Sequence, residues 1–307
     1  MTVSAAPAEA ILEESARGRR RRVRGSSEAR AHGLATVTVI YLLWALVPVL
    51  ITVLFSFNAG RSRSSWQGFS LRWYTWDPDG SVMNDPSLRT ALTHTVLLAV
   101  ITTLIVVPLG VCFAIALDRW RGRIPSGANF LALITFVIPE IALAIGLLFM
   151  VTYLATPFGL GTWAQVIGLV TFQLAYPIVI CRARLLTIGT HYEEAARDLG
   201  ASALGAVRRV ILPMLFPAIL VSAILVFADC LDDFVIVRYL SSDAATETTS
   251  MRIYQTARAA PTPALNAMAT IILLVSTLVI VLGWLAYRGW SKRQGDSADL
   301  GSIAGNL

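Results

Sequence analysis

The sequence predicts an all-α, polytopic membrane protein with six transmembrane helices and a helical loop projecting into the cytoplasm. Three observations carry that fold class. Of 307 residues, 56% are hydrophobic and only 14% charged, against about 45–50% and about 25% in soluble domains. Mean hydropathy is +0.66. Apolar stretches long enough for about 30 Å of hydrocarbon, about 20 residues each, recur along the chain. This composition excludes a secreted enzyme, a disordered scaffold and an ordinary cytosolic domain.

Taken in order, residues 1–32 are rich in Ala, Arg, Glu and Ser and read as a disordered, basic cytoplasmic tail. Arg19–Arg22 resembles the charged head of a signal peptide. The apolar segment behind it is long and lacks a small-residue cleavage site, so it reads as an uncleaved anchor. The arginine cluster sets topology or binds anionic lipid headgroups. The expected spans are Leu34–Phe57, Ala91–Leu117, Asn129–Leu154, Trp163–Cys181, Val210–Leu231 and Leu265–Tyr287, within a six-span domain over 33–290. Pro48, Pro108, Pro139, Pro177 and Pro217 fall inside five of them, which neighbouring helices tolerate by satisfying the freed carbonyls. Residues 291–307 form a C-terminal tail. Cys112, Cys181 and Cys230 sit in apolar stretches at unrelated spacings and read as small buried hydrophobes. His94 and His191 are isolated and suggest no metal site.

An even span number puts both termini on one side. Eighteen of the 25 Lys and Arg residues fall on that side or in its loops, against seven in the alternate loops. The positive-inside rule then makes both termini cytoplasmic. The net charge of +6 is therefore topological, and no nucleic-acid partner is expected.

The cytoplasmic loop between spans four and five, residues 190–213, breaks the pattern. Thr190 with Glu193 reads as a capping box, Glu193 and Glu194 suit the positive end of a helix, and Gly200 ends it. A second short helix is expected from Ala203 to Arg209, and Leu212-Pro213 opens the next span. Two short helices with a tight bend make a projecting knob, and Ala195 and Ala196 leave one face bare. Glu194-Ala195-Ala196, three residues, Gly200, nine residues, then Val210-Ile211-Leu212-Pro213 resembles the coupling motif of ABC-importer permeases, E-A-A, three residues, G, nine residues, I-x-L-P. Val210 in place of Ile is the departure.

The resemblance covers spans two to six. It implies that Glu194, Ala195, Ala196, Gly200, Leu212 and Pro213 dock an ATPase subunit and transmit its closure. It also implies that ATP and Mg are held by that partner. No phosphate loop of the G-x-x-x-x-G-K-[ST] type is found here, and Lys292 is the only lysine.

Ionisable groups inside a span are costly and default to functional hypotheses. Glu140, Asp229, Asp232 and Asp233 qualify, and neither span carries an arginine or lysine to neutralise them. Carboxylates beside a pathway attract a cation, above all an amine that donates several charge-assisted hydrogen bonds. Asp232, Asp233 and Glu140 are the substrate-path candidates. The alternative places Asp232 and Asp233 in the outer headgroup region and pairs Glu140 with a partner subunit's arginine. Tyr41, Trp44, Trp163, Tyr176, Trp284 and Trp290 read first as an aromatic belt, with cation–π contact to an ammonium as the alternative.

Leu231-Asp232-Asp233-Phe234-Val235-Ile236 is similar to the S-F-D-D-F-V-I stretch of spermidine/putrescine-type permease subunits. Thr262-Pro263-Ala264-Leu265-Asn266-Ala267 resembles their T-P-E-I-N-A, and Pro139-Glu140-Ile141 their proline–acid–hydrophobe. Cys230 and Ala264 depart from the pattern. The resemblance implies a polyamine importer subunit in a bacterial cell membrane, with no nucleotide site or catalysis of its own. Its partners would be a second, non-identical permease subunit, an ATPase dimer and an extracytoplasmic binding protein. Importers of other small cationic or organic solutes share much of this signature. An ion-gradient-driven secondary carrier is the rival class, but the inverted repeats it calls for are not evident.

Overall fold

The computed structural model describes residues 33–62, 65–78, 80–119, 137–154, 159–259 and 262–304, with positions 127 and 134. The basic tail over 1–32 lies outside them. The chain divides into two compact units, Met1–Leu54 and Phe55–Leu307. In the first, the described residues form helix α1, Gly33–Ser56, which is 24 residues long, uncharged and predominantly apolar. Its last two residues belong to the second unit.

The second unit begins with an irregular segment ordered by polar side chains. A short helix, α2 (Arg72–Thr75), buries Trp73, whose indole N–H donates to the Asn58 carbonyl at 2.6 Å. Asn58 in turn donates to the Ser62 and Ser65 carbonyls and accepts from the Gln67 amide at 2.8 Å. Arg72 pairs with Asp77 through Nε at 2.9 Å. Helix α3 (Pro86–Arg119) then runs for 34 residues. Pro86 suits a first turn that needs no N–H, and Asp85 Oδ1 caps it by accepting the Ser87 amide at 2.8 Å.

The expected third span, Asn129–Leu154, lies partly outside the described residues. Its described part is α4 (Glu140–Tyr153), 14 residues. Pro139 is extended at ψ 126 and caps α4, so Glu140 opens a helix and does not sit within one. Proline disfavours the helical region for the residue before it, which places the start there. Helices α5 (Thr162–Gln173) and α6 (Ala175–Ile188) follow one another across Leu174. Pro177 has no N–H for the Gln173 carbonyl, which is where α5 stops. Together they make a 27-residue apolar rod, longer than the predicted Trp163–Cys181.

Next come α7 (His191–Asp198), α8 (Ala203–Ala206), a π-helical turn over Val207–Ile211 and α9 (Leu212–Asp232). The predicted separate helix Ala203–Arg209 is not separate. It runs through the π turn into α9, giving a 30-residue apolar helix from Ala203 to Asp232. Beyond Asp233 lie α10 (Val235–Leu240), α11 (Thr249–Ala259) and α12 (Pro263–Ala304). The last continues past the predicted end at Tyr287, so the expected tail at 291–307 starts as helix. Among the described residues, five helices are long and apolar enough to cross a membrane. The shorter α4 holds the place of the third of the six expected spans.

Helix α3 is the axis of the bundle. Val107, Val111 and Ala114 pack with Cys181, Leu185 and Ile188 of α6 and with Ile211, Leu215 and Ala218. The α3–α6 crossing is close because a Cβ on Gly110 would run into the Pro177 ring. Towards the opposite end, Leu98, Ala99 and Val106 join Leu169, Val226, Leu231 and Ile236 in a second core. Cys181 and Cys230 are buried as expected, whereas Cys112 is exposed. The helical period puts Cys112 with Leu109 and Phe113 on the outer face of α3.

Candidate functional site

Two groups of predicted residues sit at opposite ends of α9. Its 21 residues separate them by about 30 Å at 1.5 Å per residue.

At the first end is the knob. Gly189 (φ 74) closes α6 and Gly200 (φ 86) closes α7, both in the left-handed region that glycine enters at little cost. The Gly200 amide donates to the Arg197 carbonyl at 2.8 Å and the Ala201 amide to Ala196 at 3.0 Å. That pair of bonds is the Schellman closure, with glycine at its required position. Ser202 then caps α8 by accepting the Gly205 amide at 3.1 Å.

The expected capping box at the start of α7 is not formed. Thr190 is helical at φ −96, ψ −19 and its hydroxyl caps nothing, because a cap needs the extended conformation that directs the side chain at the N3 amide. Glu193 turns inward and is buried. Glu194 and Ala195 are exposed and Ala196 is half-buried. Beside them stand Leu199 and Leu204, 90% and 77% exposed. Leu212 and Pro213 open α9 directly after the π turn, a feature that recurs at functional sites in other helices.

At the far end the acidic residues converge. Asp229 and Asp233 are four positions apart, hence on one face. Asp233 follows the last residue of α9 as its C-cap, its Oδ1 accepting the Val237 amide of α10 at 3.3 Å. Its carbonyl accepts the Ser250 hydroxyl at 2.7 Å, so the backbone here is pinned from two sides. Asp229 Oδ2 accepts Gln173 Nε2 from the end of α5 at 2.6 Å. Glu140, heading α4, lies within electrostatic range of the Asp233 carboxyl, the Ile236 amide and the Asp229 carboxyl. Tyr176 stands within range of Asp229 and Glu140. Among the described residues, no ion pair joins an arginine or lysine to any of these carboxylates.

The structure therefore brings Glu140 and Asp233 within range of each other and adds Asp229 to the group. Asp232 is exposed and meets the group only through Asp229. Sequence reasoning noted Asp229 without naming it a path residue, although the i, i+4 spacing to Asp233 was the available signal. Gln173 was missed altogether, and an amide ending an apolar rod beside a proline was the cue. Next to the cluster lies an open cleft of about 590 Å³, lined by Ile141, Phe234, Val235, Arg238, Tyr239 and Tyr254. The Phe234 and Tyr254 rings pack at 4.8 Å.

Residues 107–289 match the family described as the binding-protein-dependent transport system inner membrane component. The chain belongs to that family. As a family member it is a membrane transport component. It is 32% identical over 267 residues, 86% of this chain and 96% of the relative, to the spermidine/putrescine transport system permease protein PotC of Escherichia coli K12. It is also 32% identical over 77% of its length to the putrescine transport system permease protein PotI of the same organism, covering 84% of that protein. A solved bacterial ABC transporter involved in the import of the acidic polysaccharide alginate superposes with a TM-score of 0.71. That match covers 88% of this chain and 98% of the other at 14% identity, and it shows the shared fold.

Proposed function

We propose that this chain is a permease subunit of an ATP-driven polyamine importer, taking putrescine or spermidine. The observation that carries the reading is the carboxylate cluster of Glu140, Asp229 and Asp233, with no basic ion-pair partner among the described residues. Like charges held together repel, so the group gains from a ligand with several ammonium donors. A polyamine meets that need, each N–H bonding a carboxylate with charge assistance. The likeness to PotC and PotI supports the same substrate class.

In this reading both termini are cytoplasmic, and the knob docks an ATPase subunit through Glu194, Ala195, Leu199 and Leu204. ATP and Mg belong to that subunit, present in two copies. A second, non-identical permease subunit completes the path, and an extracytoplasmic binding protein delivers the amine to the carboxylate end. Closure of the ATPase pair displaces α7, and α9 carries the displacement to Asp229 and Asp233. The same element is thus biased from both ends, as coupling between distant sites requires.

The test is uptake of labelled putrescine and spermidine by cells carrying the whole transport system. Glu194→Lys, with normal membrane insertion, is expected to abolish uptake. Retained uptake in that variant would overturn ATPase coupling and favour a gradient-driven carrier. Absence of polyamine uptake in the wild type would remove the substrate assignment while leaving the importer class standing.

A further inference from the structure

The knob is anchored by buried charge. Glu193 is 6% exposed, and each carboxylate oxygen faces a guanidinium, Oε1 through a hydrogen bond and Oε2 through charge contact without hydrogen-bond geometry. Oε1 meets Arg197 Nη2 at 2.7 Å, one turn along α7. Oε2 meets Arg119 Nε at 2.7 Å, and Arg119 is the last residue of α3. Arg119 Nη1 also holds Asp118 Oδ2 at 2.7 Å. The series Asp118–Arg119–Glu193–Arg197 therefore bridges α3 and α7. None of the three hydrophobic clusters among the described residues contains a residue of α7. Among the described residues, this ion pair joins α7 directly to α3, beside the packing of α7 on α8 and on the π turn. A buried carboxylate stripped of its partner is strongly destabilising, a cost that favours keeping the contact as the parts move.

Helix α3 leads from Arg119 to the other end of the molecule. Its 34 residues span about 50 Å. Near that end His94 Nε2 and Gln165 Oε1 lie 2.9 Å apart, and Gln165 Nε2 donates to the Val237 carbonyl at 3.0 Å. Val237 is the residue whose amide bonds Asp233. We propose that Glu193 and Arg119 form a latch, a pair of positioning residues through which displacement of α7 is delivered to α3. Helix α3 then acts as a second lever on the carboxylate end, alongside α9. This rests on the reading that α7 receives the ATPase, and it assigns the task to Glu193, the residue preceding the family's E-A-A.

The test uses the complete transporter in proteoliposomes and reads labelled putrescine moved per ATP hydrolysed, with co-purification of the ATPase subunit as the assembly control. Glu193→Arg and Arg119→Glu are each expected to lower that ratio about fivefold or more, a coupling-sized loss, with the ATPase subunit still bound and hydrolysing. The variant that reverses the whole series, Asp118→Arg, Arg119→Glu, Glu193→Arg and Arg197→Glu, is expected to restore it. A wild-type ratio in both single variants, or no restoration in the assembled reversed variant, overturns the latch. Glu194→Lys run alongside separates the two failures. If it leaves transport intact, the coupling reading has failed and the latch with it.

A second measurement covers single variants that do not assemble and needs no transported substrate. Nitroxide labels on the exposed Cys112 of α3 and on an Asp198→Cys thiol of α7 report the α3–α7 distance. It is expected to stay constant between nucleotide-free and ATP-bound complexes. A change in that distance in the otherwise wild-type protein overturns the proposal.

Discussion

Replacing Asp233 by asparagine isolates charge from shape. Asparagine keeps an oxygen that can accept the Val237 amide, a 3.3 Å bond in the wild type, so the end of α9 should hold. What is lost is one ionisable carboxylate of the three grouped at Glu140, Asp229 and Asp233. A hydrogen bond to a charged group contributes about 1.5–3 kcal/mol and a neutral one about 0.5–1.5 kcal/mol. The difference, about 1–2 kcal/mol, corresponds to a KM for putrescine raised about 5- to 30-fold. Asp232→Asn removes an exposed charge next to Asp233 but outside its hydrogen bonds, and its effect should be severalfold smaller. The assay is initial uptake rate against putrescine concentration, normalised to permease in the membrane. Equal KM values for wild type and Asp233→Asn, or a larger effect from Asp232→Asn, would refute the assignment of the amine to the buried carboxylates.

Three further outcomes follow from packing and capping. Gly110→Leu drives a side chain into Pro177 and should destabilise the α3–α6 crossing by about 1–3 kcal/mol or more, read as a lowered Tm in detergent, with Gly110→Ala less affected. Gln165→Leu strands the Val237 and Thr246 carbonyls and His94, each buried polar group costing about 1–3 kcal/mol. It should lower Tm more than Gln173→Leu, which frees only Asp229. Burial works to raise Asp85, but the Ser87 hydroxyl, the Ser87 and Leu88 amides and the Arg252 charge outweigh it and hold the carboxyl below its usual range. A group lowered on folding adds stability above its unfolded pKa of about 3.9 and loses it as pH falls through the folded value. The Tm advantage of wild type over Asp85→Asn should therefore be full at neutral pH and shrink below about pH 4. An advantage that grows in acid would contradict the cap.

The apolar runs were legible because lipid-spanning length and hydrophobicity are properties of consecutive residues. The knob was equally legible, because Gly200 and the small residues before it encode a local turn. Residues far apart in sequence carried no such signal. Thr190-x-x-Glu193 has the letters of a capping box, yet Thr190 is helical and the Glu193 carboxylate lies against Arg197 and against Arg119, more than seventy positions upstream. A buried charge gains more from an opposite charge than from an exposed amide. Asp232 and Asp233 look equivalent as neighbours, but the end of α9 falls between them, leaving one exposed and one buried. The sequence alone determined the membrane class, the family and the two ends at which chemistry would be sought. Tertiary packing decided which carboxylates meet and to which helix the knob is tied, because those contacts join segments that only the folded bundle brings together.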